Sequence, residues 1–140
     1  MNSYIRFFSE EINFTFKKKI KTRTWLTNVI REENNSTLNI NYIFCSDEYL
    51  SELNKKYLHH HTFTDILTFP YLSNPKKISG DIYISVERTK ENAEKYHQTF
   101  DKELARVMIH GILHLLGYKD KAPEDRELMT MKEDYYLDKF

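Results

Sequence analysis

His110 and His114 stand four residues apart in a run that reads as helix, so both imidazoles leave one face, one turn apart. Gly117 follows where a helix needs a residue that tolerates φ > 0 to turn the chain. Asp120 comes next, where the reversed chain can return a carboxylate to the same point. Two neutral nitrogens and one carboxylate oxygen, delivered by a helix and its turn, make a three-ligand metal site with an open position. A lone histidine in an apolar helix is ordinarily a core residue bonded to backbone. A pair at this spacing, with a glycine and an acid behind it, resists that explanation, because two buried imidazoles are costly unless something satisfies both. Zn2+ suits the ligand set, with nickel, cobalt and iron as alternatives.

The spacing is similar to the long zinc motif of metzincin proteases, in which a Glu directly after the first histidine is the general base. Gly111 holds that position here, so the protease base is missing. A nucleophile remains available, since a metal can bring the pKa of its water to about 7. The consecutive His59, His60 and His61 do not converge as an i, i+4 pair does. They are expected in a solvated loop from which one reaches the cleft as a phosphate contact or proton donor. Arg88 is a further candidate helper. Thr64 and Asp65 read equally as strand-start hydrogen bonders or as cleft groups that orient a ligand histidine. Tyr118 either packs over the turn or donates to a substrate.

Several elements must carry these groups. Val107–Leu116 is apolar on nearly every side except at the two histidines, which predicts a motif helix from Asp101 to Leu116 buried in the core. Alternation predicts strands at residues 12–16, 38–45, 64–71 and 81–85. Helical spacing predicts further helices at about 18–33, from 46 or 47 to Tyr57, at 87–98 and at 123–137. The last of these is expected to face Leu128, Met131, Tyr135 and Tyr136 inward. Trp25 and Cys45 read as buried apolar side chains. The resulting fold class is α/β: one small mixed sheet of about four strands with about five helices, metalloprotease-like, in one domain spanning residues 1–140.

Composition narrows the function classes. Lys plus Arg equals Asp plus Glu at 21 each, so the overall charge does not single out a polyanion binder, although Lys17, Lys18, Lys19, Lys21 and Arg23 form a local basic cluster. The single Cys45 excludes an intramolecular disulfide framework and fits a reducing compartment. No apolar run approaches the length of a transmembrane helix and no signal-peptide pattern opens the chain, so a soluble cytoplasmic protein with no membrane partner is expected.

Taken together, His110-Gly-x-Leu-His-Leu-x-Gly-Tyr118, Asn54-x2-Tyr57, Thr64-Asp-Ile-Leu-Thr-Phe-Pro70, Gly80-Asp-Ile82 and Glu103-Leu104 resemble the signature blocks of the YbeY family. The resemblance covers about Leu38 to Asp120, with the N-terminal strand and helix matching in pattern only. It implies a metal-dependent endoribonuclease acting on single-stranded RNA in rRNA maturation and ribosome quality control. The implied cofactor is one divalent ion, most readily Zn2+, held by His110, His114 and Asp120, which would be catalytic through it. Ribosomal RNA is the implied partner, with ribosomal proteins as candidates and no oligomeric state indicated. Two positions depart from the family pattern: Asp120 stands where the third ligand is usually His, and Leu58 stands where an Arg usually follows the tyrosine. Two other readings stay open, a metal-dependent peptidase or amidohydrolase and a non-catalytic ribosome-associated factor.

Overall fold

In the computed structural model, residues 4–58, 64–71 and 76–140 are described. The elements in order are β1 (Tyr4–Glu10), α1 (Lys19–Glu32), β2 (Ser36–Cys45), α2 (Asp47–Leu58), β3 (Ile66–Pro70), β4 (Lys77–Ser85), α3 (Val86–Lys95), α4 (Phe100–Leu115) and α5 (Pro123–Leu137). The four strands form one mixed sheet in the order β1-β2-β4-β3. β1 and β4 flank β2 in parallel, and β3 closes one edge antiparallel to β4. Over the described residues the chain adopts the expected α/β class, with four strands and five helices. Among the described residues, no helix is long and apolar enough to cross a membrane.

β2 is central and buried on both faces, as parallel strands covered on both sides tend to be. Ile40, Tyr42 and Phe44 join Ile82 and Ile84 of β4 in the main core with α1 and α4. Cys45 turns to the other face, where it packs with Leu50 of α2 and Leu67 of β3. Burial and nearby carboxylates push the Cys45 thiol up to about 12, so it behaves as the inert apolar group expected of it. Tyr42, fully buried, donates from its hydroxyl to the Met108 carbonyl at 2.8 Å and so ties the central strand to α4.

Local chemistry sets the helix ends. The Thr99 side chain accepts from Lys102 N–H to start α4, and Ser85 accepts from Arg88 N–H to start α3. α1 has neither a side-chain cap nor an acid in its first turn, so its leading lysines oppose the helix dipole. Lys18 is answered from outside by Asp101 at 3.0 Å.

Three expectations fail. The strand expected at residues 12–16 does not form; the N-terminal strand is β1 instead. Phe14 and Phe16 do pack against the core, beside Phe7 and Phe44. Alternation at 12–16 therefore reports which rings face inward, whereas ladder pairing goes to Tyr4–Glu10 against β2. β4 begins at Lys77 rather than 81, because Lys77 and Ile78 pair with Ser36 and Thr37 across an irregularity in β2. Gly80 therefore lies inside the strand, where a Cβ would stand 2.7 Å from the Phe69 carbonyl oxygen. In α5 the inward residues are Met129, Glu133 and Tyr136; Leu128, Met131 and Tyr135 are 43%, 63% and 48% exposed. Tertiary anchors set that phase: Trp25 Nε1–H donates to the Tyr136 carbonyl at 2.8 Å, and Glu133 faces α4.

Candidate metal centre

α4 lies across β3 and β4 with one face sunk in the core, and His110 and His114 leave it together at its C-terminal end. The two rings stand 4.6 Å apart, edge to face. The helix then stops on Gly117, whose φ of +105° is a conformation side chains resist. Gly117 N–H donates to the His114 carbonyl and Tyr118 N–H to the Leu113 carbonyl, each at 3.0 Å, which is the paired hydrogen bonding of a Schellman turn. That reversal returns Asp120 to the helix face. Its Oδ2 lies 3.2 Å from Nε2 of both His110 and His114. One ligand atom from each of the three residues lies within 4.8 Å of the others, and all three residues are half-buried. Two imidazole nitrogens and a carboxylate oxygen so arranged fit a divalent cation such as zinc, with room left for a further ligand.

An alanine Cβ at Gly117 would meet nothing within 4 Å, so substitution there is penalised by backbone conformation alone. Gly117→Ala is expected to lower stability by about 1–3 kcal/mol, with a smaller loss for Gly117→Asn, since Asn tolerates positive φ. Thermal melts of the two variants check the order.

The turn is also held from behind. The Tyr118 hydroxyl donates to Glu33 Oε1 at 2.6 Å, Lys132 Nζ stands 2.9 Å from Glu33 Oε2, and the Tyr136 hydroxyl donates to the same carboxylate. Burial would raise the Glu33 pKa, but these hydrogen bonds and the Lys132 charge outweigh it and hold the carboxyl below its usual range. Tyr118 packs against the core and donates to Glu33, a hydrogen bond its place in the sequence did not suggest.

A cleft of about 150 Å³ opens against His110, between Asp65 and Ile66 at the start of β3, Glu103 and Arg106 on α4, and Glu133 on α5. Glu133 Oε2 stands 2.6 Å from His110 Nδ1, and its Oε1 accepts from Arg106 Nη1 at 2.8 Å. Burial would lower the His110 pKa, but the Glu133 hydrogen bond and charge, with Asp120 and Asp65 behind them, raise it above the usual value. Burial raises the Asp65 carboxyl, against the opposing charge of His110.

The structure therefore brings His110, His114 and Asp120 together as their spacing suggests and places Asp65 in the adjoining cleft. Arg88 lies on α3, with its guanidinium 2.9 Å from Asp47 and 3.6 Å from Glu91. His59, His60 and His61 lie outside the described residues. Sequence reading missed Glu133 and Arg106. The usable signal was the i, i+4, i+7 set Met129, Glu133 and Tyr136, a helical stripe with an acid at its centre.

Gly111 points into the sheet. A Cβ there would stand 2.9 Å from Ile82 Cγ2 and 3.1 Å from Ile66 Cδ1, so the helix packs too closely on β3 and β4 to carry an acid at this position.

The family model described as Endoribonuclease YbeY matches residues 5–140, which extends the resemblance to β1, α1 and α5. A Flavobacterium psychrophilum protein named Endoribonuclease YbeY is 50% identical over 133 residues, covering 95% of this chain and 94% of the relative. A Cytophaga hutchinsonii protein of the same name is 47% identical over 133 residues, covering 95% and 93%. Among solved structures, the solution structure of TM1509 from Thermotoga maritima superposes with a TM-score of 0.69 at 30% identity, covering 96% of this chain and 87% of that one.

Proposed function

The chain belongs to the Endoribonuclease YbeY family, and we propose that it is itself a metal-dependent endoribonuclease that cleaves single-stranded RNA in the maturation and quality control of ribosomal RNA. It works in the cytoplasm, with ribosomal RNA as substrate and ribosomal proteins as its other contacts. His110, His114 and Asp120 hold one Zn2+.

The observation that carries this reading is the convergence of three donor atoms beside a cleft, on a helix with no room for a protease's base. Asp120 and the two Nε2 atoms would hold the cation, and His110 also lines the neighbouring cleft. When bound, such a cation supplies Lewis-acid chemistry, polarising a phosphoryl oxygen or acidifying a water. Position 111 supplies no base, since Ile82 and Ile66 fill the space an acid would need. Arg106, the cation lining the cleft, already binds Glu133 and Asp134. The candidates for phosphate contact are His59, His60, His61 and Arg88, the last of which is itself paired with Asp47 and Glu91. Asp120 in place of the family's usual histidine makes the ligand set more negative without removing a donor.

Purified protein given a labelled single-stranded RNA and casein in parallel tests this assignment. RNA cleavage that stops on chelation and returns with zinc, beside untouched casein, is the expected result. Casein hydrolysis without RNA cleavage would make the protein a peptidase. Co-sedimentation with ribosomes, with no precursor cleaved, would make it a non-catalytic factor.

A further inference from the structure

The ligand histidines are held differently. His110 is gripped at both ring nitrogens, Nδ1 by Glu133 at 2.6 Å and Nε2 by Asp120 at 3.2 Å. Among the described residues, no carboxylate reaches Nδ1 of His114. Glu133 comes from α5, which carries none of the ligands. Its side chain is only 9% exposed, an expensive place for a carboxylate unless it is paired. Arg106 Nη1 pairs with it through Oε1 at 2.8 Å, leaving Oε2 to the histidine.

A neutral imidazole has one N–H and one lone pair, and an ionised carboxylate can only accept. A 2.6 Å contact to ionised Glu133 therefore requires the His110 hydrogen on Nδ1, which leaves the lone pair on Nε2. Nε2 is the nitrogen that faces Asp120 Oδ2 and shares that oxygen with His114 Nε2. Resting on the cation-site reading above, we propose that Glu133, itself held by Arg106, is a positioning residue that fixes His110 as its Nδ1–H tautomer and aims Nε2 at the cation. One side chain of α5 thereby contributes to cation affinity, although the helix supplies no ligand.

The competing account is that Arg106 and Glu133 simply clamp α5 to α4. The tautomer separates the two. In Glu133→Gln the side-chain amide can present either its oxygen or its NH2 to Nδ1, so the tautomer is no longer enforced. Long-range 1H–15N NMR of the metal-free protein, at a pH where the ring is neutral, should show His110 as Nδ1–H in the wild type and a shift toward Nε2–H in Glu133→Gln. In a competition titration against a chromophoric chelator, zinc affinity should fall about 10- to 100-fold in that variant. Asp134→Asn, which removes the other partner of Arg106, should change neither readout. Met129→Ala, a packing change on the same helix, should lower the melting temperature and also leave both readouts unchanged.

A wild-type His110 protonated on Nε2 overturns the proposal, whatever the variants do. So does a Glu133→Gln protein that loses affinity with its tautomer intact, because the effect would then be one of packing. A Glu133→Gln protein that keeps both overturns it as well. If the wild type binds no zinc, the cation reading fails, but the tautomer measured without metal still decides the role of Glu133.

Discussion

His114→Ala is expected to lose its bound cation and to cleave RNA about 10³-fold more slowly than the wild type, with little change in fold. The cation's Lewis-acid contribution should be worth about 4 kcal/mol of transition-state stabilisation, and each 1.4 kcal/mol is a factor of ten in rate. His114 is half-buried at the exposed end of α4, so its removal takes away a ligand without hollowing the core. Rates of cleavage of a labelled single-stranded RNA, with circular dichroism beside them, measure this. Wild-type rates in a folded variant, after contaminating nucleases are excluded, would mean that the cation site is not the source of activity.

Gly111→Glu, which restores the acid of the protease motif, is expected to destabilise the protein by more than about 3 kcal/mol and to create no peptidase. The first added carbon already stands 2.9 Å from Ile82 Cγ2 and 3.1 Å from Ile66 Cδ1, against a well-packed sheet. Overpacking of this kind costs about 1–3 kcal/mol, and forcing a carboxylate toward two isoleucines adds the penalty of burying a polar group without a partner. For a domain of this size, about 3 kcal/mol corresponds to a fall of roughly 10 °C in melting temperature. Gly111→Ala should lose less, because a helical alanine regains about 1 kcal/mol over glycine. A Gly111→Glu protein as stable as the wild type would show that α4 can lift from β3 and β4 and that the missing acid is not a consequence of packing.

Gly111 also shows what a sequence can reveal of such a site. Its identity alone tells against a peptidase, because the position can supply no base. The physical reason for that identity, two isoleucines on β3 and β4 pressed against the helix, is visible only in the fold. His110, His114, Gly117 and Asp120 are legible in the sequence because their geometry is local: a helical repeat, then a turn that demands positive φ. The burial of α4 is legible for the same reason. Glu133 is not, because its partner His110 is 23 residues away on another helix, and the weak amphipathic pattern of α5 marks Tyr136 as inward but not Met129 or Glu133. The cradle at Glu33 is hidden likewise, since its donors Tyr118 and Tyr136 lie 85 and 103 residues along the chain. β1 escapes a sequence reading because ladder pairing, which only the assembled sheet provides, decides between two weak strand patterns near the N-terminus.

In the proposed site three side chains, one of them Asp120 rather than a histidine, hold a cation. Zinc content of purified wild type and Asp120→Ala, measured by elemental analysis after equilibration with equal free zinc, tests it most directly. About one zinc per chain in the wild type and a large loss in the folded variant are the predicted results. Equal zinc in the two proteins would contradict the three-ligand site.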